Sequence, residues 1–285
     1  MAKNNFLLKL QYFIENLRLK STLYYILITV ATFLIAKVLF SVKITIYLAL
    51  ETMIVMALYS FYTFTINNYF DRFNDNLNPI KSYLNPIASG KLSPRKGLCF
   101  SLFLFSLGTI LTFVWFNYLV FLYLILLLNS TLYSIIFKST PIINLMSHSI
   151  GVLGLFIFPA IVINLNYVWV VTICIVLILF SNLLQIENQI LDFKYDKKAR
   201  LNTLPIVYGI KFTKFLYYLS AILLIIVSVI LFFSQSNFYA LFLVLLGLLY
   251  LLKFTIKFIS KQWDKILISL CLLFFIGSIL FGNIL

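Results

Sequence analysis

The sequence predicts an all-α integral membrane protein. Three observations carry this. Of 285 residues, 63% are hydrophobic and only 11% are charged, where a soluble domain carries roughly 25% charged residues. Mean hydropathy is +1.06. The apolar residues also fall into runs of about 20, the length that crosses a bilayer as a helix.

Residues 4–18 come first. Phe6, Leu7, Leu10, Phe13, Ile14 and Leu17 gather near one side of a helix and Lys9, Glu15 and Arg18 fall elsewhere. This predicts a short amphipathic helix within residues 1–20, lying at the membrane surface. Its interrupted, basic character does not suit a signal peptide.

Nine apolar spans follow, at about 21–41, 44–68, 97–116, 118–137, 141–163, 167–190, 212–234, 236–253 and 264–284. Twenty of the 22 basic residues fall before the first span or in the connections after the second, fourth, sixth and eighth. Only Lys37 and Lys43 fall on the other side. The positive-inside rule then places the N-terminus in the cytoplasm and the C-terminus outside. The 22 basic against 8 acidic residues would also suit nucleic acid, but no soluble basic segment exists to bind it. The source membrane expected from this pattern is the cytoplasmic membrane of a prokaryote. Cys99, Cys174 and Cys271 stand apart within apolar runs, which predicts neither a disulfide framework nor a zinc site.

The polar stretches after spans two and six, residues 69–96 and 192–211, form the two large cytoplasmic loops of a single domain, 1–285. Both begin with a column of side-chain oxygens. Asn68, Asp71 and Asp75 share the spacing i, i+3, i+7 with Gln189, Asp192 and Asp196, and such residues line one helix face. Four of the eight acidic residues stand in these columns. Each column continues a polar stripe inside its span: Ser60, Thr63, Asn67 and Asp71 in one, and Asn182, Gln185, Gln189, Asp192 and Asp196 in the other, with Asn188 four residues before Asp192. A lipid-facing helix would not carry such stripes, so they converge on a polar cavity open to the cytoplasm. Matched loops after matched spans read as a weak internal repeat, and related halves place a site between them.

Four carboxylates in one cavity repel unless a cation joins them. Oxygen donors suit Mg²⁺, which binds through a few carboxylates together with substrate phosphates, and the neighbouring bases suit a polyphosphate. Helix caps and salt bridges are the plainer reading of either column taken singly.

These residues resemble a known family. Asn67-Asn68-x-x-Asp71-x-x-x-Asp75 is similar to the NDxxDxxxD motif of the UbiA superfamily of intramembrane prenyltransferases (4-hydroxybenzoate polyprenyltransferase-like), and Asp192-x-x-x-Asp196 resembles its DxxxD motif. Asn85-Pro86-x-x-Ser89-Gly90-Lys91-Leu92-Ser93 is similar to a third segment, Tyr133-Ser134 with Lys138 to a fourth, and Thr203-Leu204-Pro205 through Gly209 also fits. The resemblance implies nine transmembrane helices and a magnesium-dependent transfer of a polyprenyl group from a polyprenyl diphosphate to a small acceptor, through an allylic cation. It implies two Mg²⁺ ions held by Asn67, Asn68, Asp71, Asp75, Asp192 and Asp196, the four aspartates being catalytic. Arg72, Lys91, Tyr133, Lys138, Asn188 and Lys194 are the implied substrate-binding residues. The commonest acceptor is an aromatic quinone precursor; a glyceryl phosphate ether or a polyprenyl-linked sugar is the alternative. Two positions depart from the pattern: Asn68 replaces an aspartate, and Gln189 stands where many members carry another. Both departures are expected to weaken metal binding.

A membrane transporter is the competing class, but it places charges near mid-membrane, whereas these aspartates cluster at helix ends. The DGxxAR-type signature of phosphatidyl transferases is absent. His148, the single histidine, shares a helix face with Asn144; packing is its ordinary role and a base toward the acceptor the sharper one. Glu187 falls off the aspartate column and is not expected to bind metal.

Overall fold

The computed structural model describes residues 2–235 and Leu248. Ten α-helices run in order: α1 Ala2–Asn16, α2 Leu19–Phe40, α3 Ile46–Asn76, α4 Pro79–Leu84, α5 Pro94–Trp115, α6 Val120–Ile135, α7 Pro141–Val162, α8 Tyr167–Lys198, α9 Leu204–Val207 and α10 Gly209–Gln235. There is no strand among the described residues. Seven helical segments among them are long and apolar enough to cross a membrane, and they coincide with the first seven expected spans. The eighth and ninth expected spans lie outside the described residues, Leu248 apart.

Helix ends fall where the local chemistry stops or starts them. Thr45 caps α3 by accepting from the Leu48 N–H, and Asn166 caps α8 by accepting from the Val168 N–H. Asn78 caps α4, where Pro79 occupies the first turn that tolerates it. Inside the apolar helices, Thr52, Ser60, Ser101, Thr112 and Ser228 donate their hydroxyls to the carbonyl four residues earlier. Each hydroxyl is thereby satisfied without water.

α3 sits at the centre, packed on α2, α5 and α6, while α7 joins α2, α6 and α8, and α8 packs on α10. The larger core cluster includes Val55, Met56, Tyr59, Tyr123, Leu127 and Phe158, and a second one joins Leu183, Ile186 and Leu204 to Tyr217, Ala221 and Leu224. Gly154 allows α7 close to α6, because a Cβ there would strike the Leu126 side chain.

α3 and α8 have 31 and 32 residues, more than the roughly 20 needed to span a bilayer. The excess is functional geometry. Each helix continues past its apolar run, so residues 69–76 and 192–198, expected as the first parts of loops, are helical. The oxygen columns are therefore rigid.

Candidate active site

The C-terminal ends of α3 and α8 meet at one end of the bundle around a cavity of about 700 Å³. Asn67, Asp71 and Asp75 enter it from α3, and Asn188, Gln189, Asp192 and Asp196 from α8. The turn between α1 and α2 adds Arg18, α4 adds Lys81, and the segment after α6 adds Lys138. Deeper in the bundle the wall includes Tyr25, Thr63, Tyr133, Asn144 and His148.

Three aspartates are held by three bases from three different segments. Lys138 Nζ lies 2.5 Å from Asp71, Lys81 Nζ 2.7 Å from Asp192, and the Arg18 guanidinium 3.5 Å from Asp75. Asp71 and Asp75 are almost fully enclosed, while Asp192 and Lys81 stand at the mouth. Burial alone would lower the Lys138 pKa, but the Asp71 carboxylate, with Tyr133 and Asp75 behind it, reverses this and raises it above the usual lysine value. Lys138 is therefore a fixed positive charge. The five acidic side chains in the wall (Glu187 is the fifth) outnumber the three basic ones, leaving a formal charge of −2.

A layer of amides supports these charges. Asn144 Oδ1 accepts from Gln185 at 2.7 Å and from Gln189 at 2.9 Å, while its own amide donates to the Lys138 carbonyl. Gln185 also donates to the Tyr133 hydroxyl. Gln189 Oε1 accepts from the Leu204 N–H at 2.9 Å, which pins the Thr203-Leu204-Pro205 segment against α8. Asn85 performs the same service for α3: its amide donates to Asp75 and to the Asn68 carbonyl, and its Oδ1 receives the N–H groups of Ile87 and Ala88. The turn that follows passes through Gly90 at φ +75, a conformation that strongly favours glycine.

Asn67, Asp71, Asp75, Tyr133, Lys138, Asn188, Asp192 and Asp196 thus share one cavity. The wall does not include four other expected residues. Asn68 is fully buried and donates its amide to Asn16 on α1, at 2.9 Å to the side-chain oxygen and 3.1 Å to the carbonyl. Arg72 bonds the Tyr69 carbonyl and lies over the Tyr69 and Phe73 rings. Lys91 pairs with Glu15, and Lys194 is exposed. A helix face is about 100° per residue, so a neighbour in sequence points elsewhere. Arg18 and Lys81 supply the cations instead. Neither belongs to a recognisable spacing; the one sequence cue is that both flank the columns in basic segments. Glu187, expected to stand aside, is in the wall.

Among the described residues, no three His, Cys, Asp or Glu side chains already stand close enough to hold one metal ion. The donor set nevertheless fits Mg²⁺: four carboxylates, all oxygen donors, from two facing helix ends. Three of the four are occupied by bases, so cation binding here is an exchange of partners.

A polytopic helical bundle with an acid-lined cavity between two matched helix ends defines a class of intramembrane protein. The sequence pattern of the UbiA prenyltransferase family matches residues 22–279, and the chain belongs to that family. A UbiA homolog from Archaeoglobus fulgidus bound to DMAPP and Mg²⁺ superposes with a TM-score of 0.75 at 16% identity, covering 94% of this chain and 98% of that one. The structure of a digeranylgeranylglyceryl phosphate synthase superposes with a TM-score of 0.71 at 23% identity, over 95% and 98% of the two chains. In sequence, the digeranylgeranylglyceryl phosphate synthase of Haloquadratum walsbyi is 33% identical over 148 residues. That match spans about half the length of each protein.

Proposed function

We propose that the protein transfers a prenyl group from an allylic prenyl diphosphate to an acceptor, in a magnesium-dependent reaction at the cytoplasmic face of a membrane. One observation carries this reading: four aspartates from two matched helix ends converge, with three bases, on a single cavity that continues into an apolar bundle. Asp71, Asp75, Asp192 and Asp196 would hold Mg²⁺, with Asn67 beside them. Bound there, Mg²⁺ neutralises the diphosphate and stabilises it as a leaving group. Arg18, Lys81 and Lys138, which pair with Asp75, Asp192 and Asp71, would then be available to the phosphate oxygens and would support the developing charge. Tyr133, oriented by Gln185, borders the donor.

The acceptor in this reading is an aromatic quinone precursor. With two divalent ions the formal −2 of the wall would become +2, which one diphosphate takes up, so an acceptor with a single carboxylate burdens the site less than one with a second phosphate. The other reading, transfer to a glyceryl phosphate ether, draws on the relative of 33% identity whose name carries that product.

Membranes containing the protein, given Mg²⁺ and radiolabelled geranylgeranyl diphosphate with either a phenolic acid or geranylgeranylglyceryl phosphate, test both. Labelled product that disappears in Asp71→Ala and Asp192→Ala supports prenyl transfer and identifies the acceptor. No product with either acceptor, from folded protein that also fails to bind the donor with Mg²⁺, refutes it.

A further inference from the structure

His148 reaches the cavity one helical turn beyond Asn144, about 6 Å deeper along α7, and belongs to none of the charge clusters. Its Nδ1 lies 2.8 Å from Ser181 Oγ on α8. Ser181 is fixed in turn, since Ser149 Oγ donates toward both Ser181 Oγ and Asn182 Oδ1. No hydrogen bond to His148 Nε2 forms among the described residues, and the side chain is part of the cavity wall. Along α8, Ser181 stands eleven residues from Asp192, about 16 Å at the helical rise. His148, backed by Ser181, is therefore a polar floor to a cavity whose wall also includes Tyr25, Thr63 and Phe64. An otherwise apolar prenyl chain has no use for an oriented imidazole there.

We infer that His148 is a catalytic residue that receives the proton of the acceptor's phenolic hydroxyl, with Ser181 as its positioning residue. This rests on the aromatic reading above. In the tautomer this role requires, the Nδ1–H donates to Ser181 Oγ and the Nε2 lone pair faces the cavity. An aromatic ring standing between this floor and the aspartates presents its hydroxyl to Nε2 and the ring carbon ortho to that hydroxyl to the donor. The phenolic proton passes to Nε2. The oxygen's electron pair moves through the ring, and the ring carbon forms the new bond to the allylic carbon. The pair of the broken C–O bond leaves with the diphosphate. The substituted ring carbon then gives up its proton to the departing diphosphate, His148 Nε2 returns its proton to the oxygen, and the ring regains its aromaticity and its hydroxyl.

The test uses full-length protein in membranes with Mg²⁺, geranyl diphosphate and 4-hydroxybenzoate. Donor binding is measured beside transfer. His148→Gln is expected to lose transfer by about 10²-fold or more, the usual range for a general base, with donor binding within twofold of wild type, which also shows that the variant folds. Added imidazole is expected to restore transfer in His148→Ala, a response that a purely structural role does not give. Ser181→Ala is expected to lose less than His148→Gln. Transfer by His148→Gln within threefold of wild type overturns the inference while leaving the prenyltransferase reading intact. Wild-type transfer to geranylgeranylglyceryl phosphate but not to the phenol overturns it through the acceptor. Donor binding absent from wild type overturns the underlying reading as well.

Discussion

Asn85 Nδ2 donates to Asp75 Oδ2 at 2.9 Å, joining the Asn-Pro turn to the last turn of α3. The same nitrogen donates to the Asn68 carbonyl and the side-chain oxygen receives two backbone N–H groups. A fully buried amide with this many partners is a structural rivet. Asn85→Asp replaces the donor with an acceptor facing the Asp75 carboxylate. Leaving such buried groups unmatched costs about 1–3 kcal/mol each. The variant is expected to unfold at lower temperature than wild type in detergent, and to lose Mg²⁺-dependent donor binding. Thermal unfolding and a donor-binding titration check both.

Gln189 is committed at both ends, to Asn144 and to the Leu204 N–H. It acts as a strut in the position where many relatives carry an aspartate. Gln189→Ala is expected to lower stability by about 1–2 kcal/mol, because it orphans a buried N–H, and to leave the Mg²⁺ dissociation constant within twofold. A tenfold weaker constant at unchanged stability would make Gln189 a metal ligand after all.

Lys138 and Asp71 form a buried pair. Removing one partner of such a pair costs about 3–5 kcal/mol, because the other charge is stranded. Lys138→Met is therefore expected to be destabilised without Mg²⁺ and to regain more stability than wild type when Mg²⁺ is added, since the cation takes the place of the ammonium. The Lys138 pKa is raised by folding. Its stabilising contribution is thus complete below the unfolded lysine value of about 10.4 and is lost only as pH rises through the still higher folded value. The Lys138→Met deficit should stay constant across neutral pH. Melting curves with and without Mg²⁺, at several pH values below 9 or so, test this.

Arg18 precedes the family match at residue 22, yet it reaches Asp75 from a left-handed position, φ 47. Its contact with Asp75 is long, at 3.5 Å, and Asp75 keeps the Asn85 amide when it is lost, so the pair adds little to stability. Its use is toward the donor: a charge-assisted hydrogen bond to phosphate is worth about 1.5–3 kcal/mol. Arg18→Ala is expected to weaken geranyl diphosphate binding by roughly tenfold or more with a nearly unchanged unfolding temperature. Isothermal titration in detergent distinguishes this from a fold defect.

Periodicity was enough to read the first seven spans, the helical register of both columns and the presence of a cavity between them. Apolar length and the 3.6-residue repeat are local properties, and the polar stripes Ser60–Asp71 and Asn182–Asp196 leave their helices only one way to face. Which polar atoms reach the cavity was decided by the tertiary structure. Asn68, Asp71 and Asp75 share a spacing, but Asn16 claims Asn68, while Lys138 and Arg18 meet Asp71 and Asp75. Arg72, adjacent to Asp71 in sequence, is turned onto the Tyr69 and Phe73 rings. The cations that hold Asp75 and Asp192 come from the α1–α2 turn and from α4, which no spacing links to the columns. A helix face is encoded in a dozen neighbouring residues, whereas the partner of a buried charge is whatever distant segment the fold delivers within a few ångströms of it.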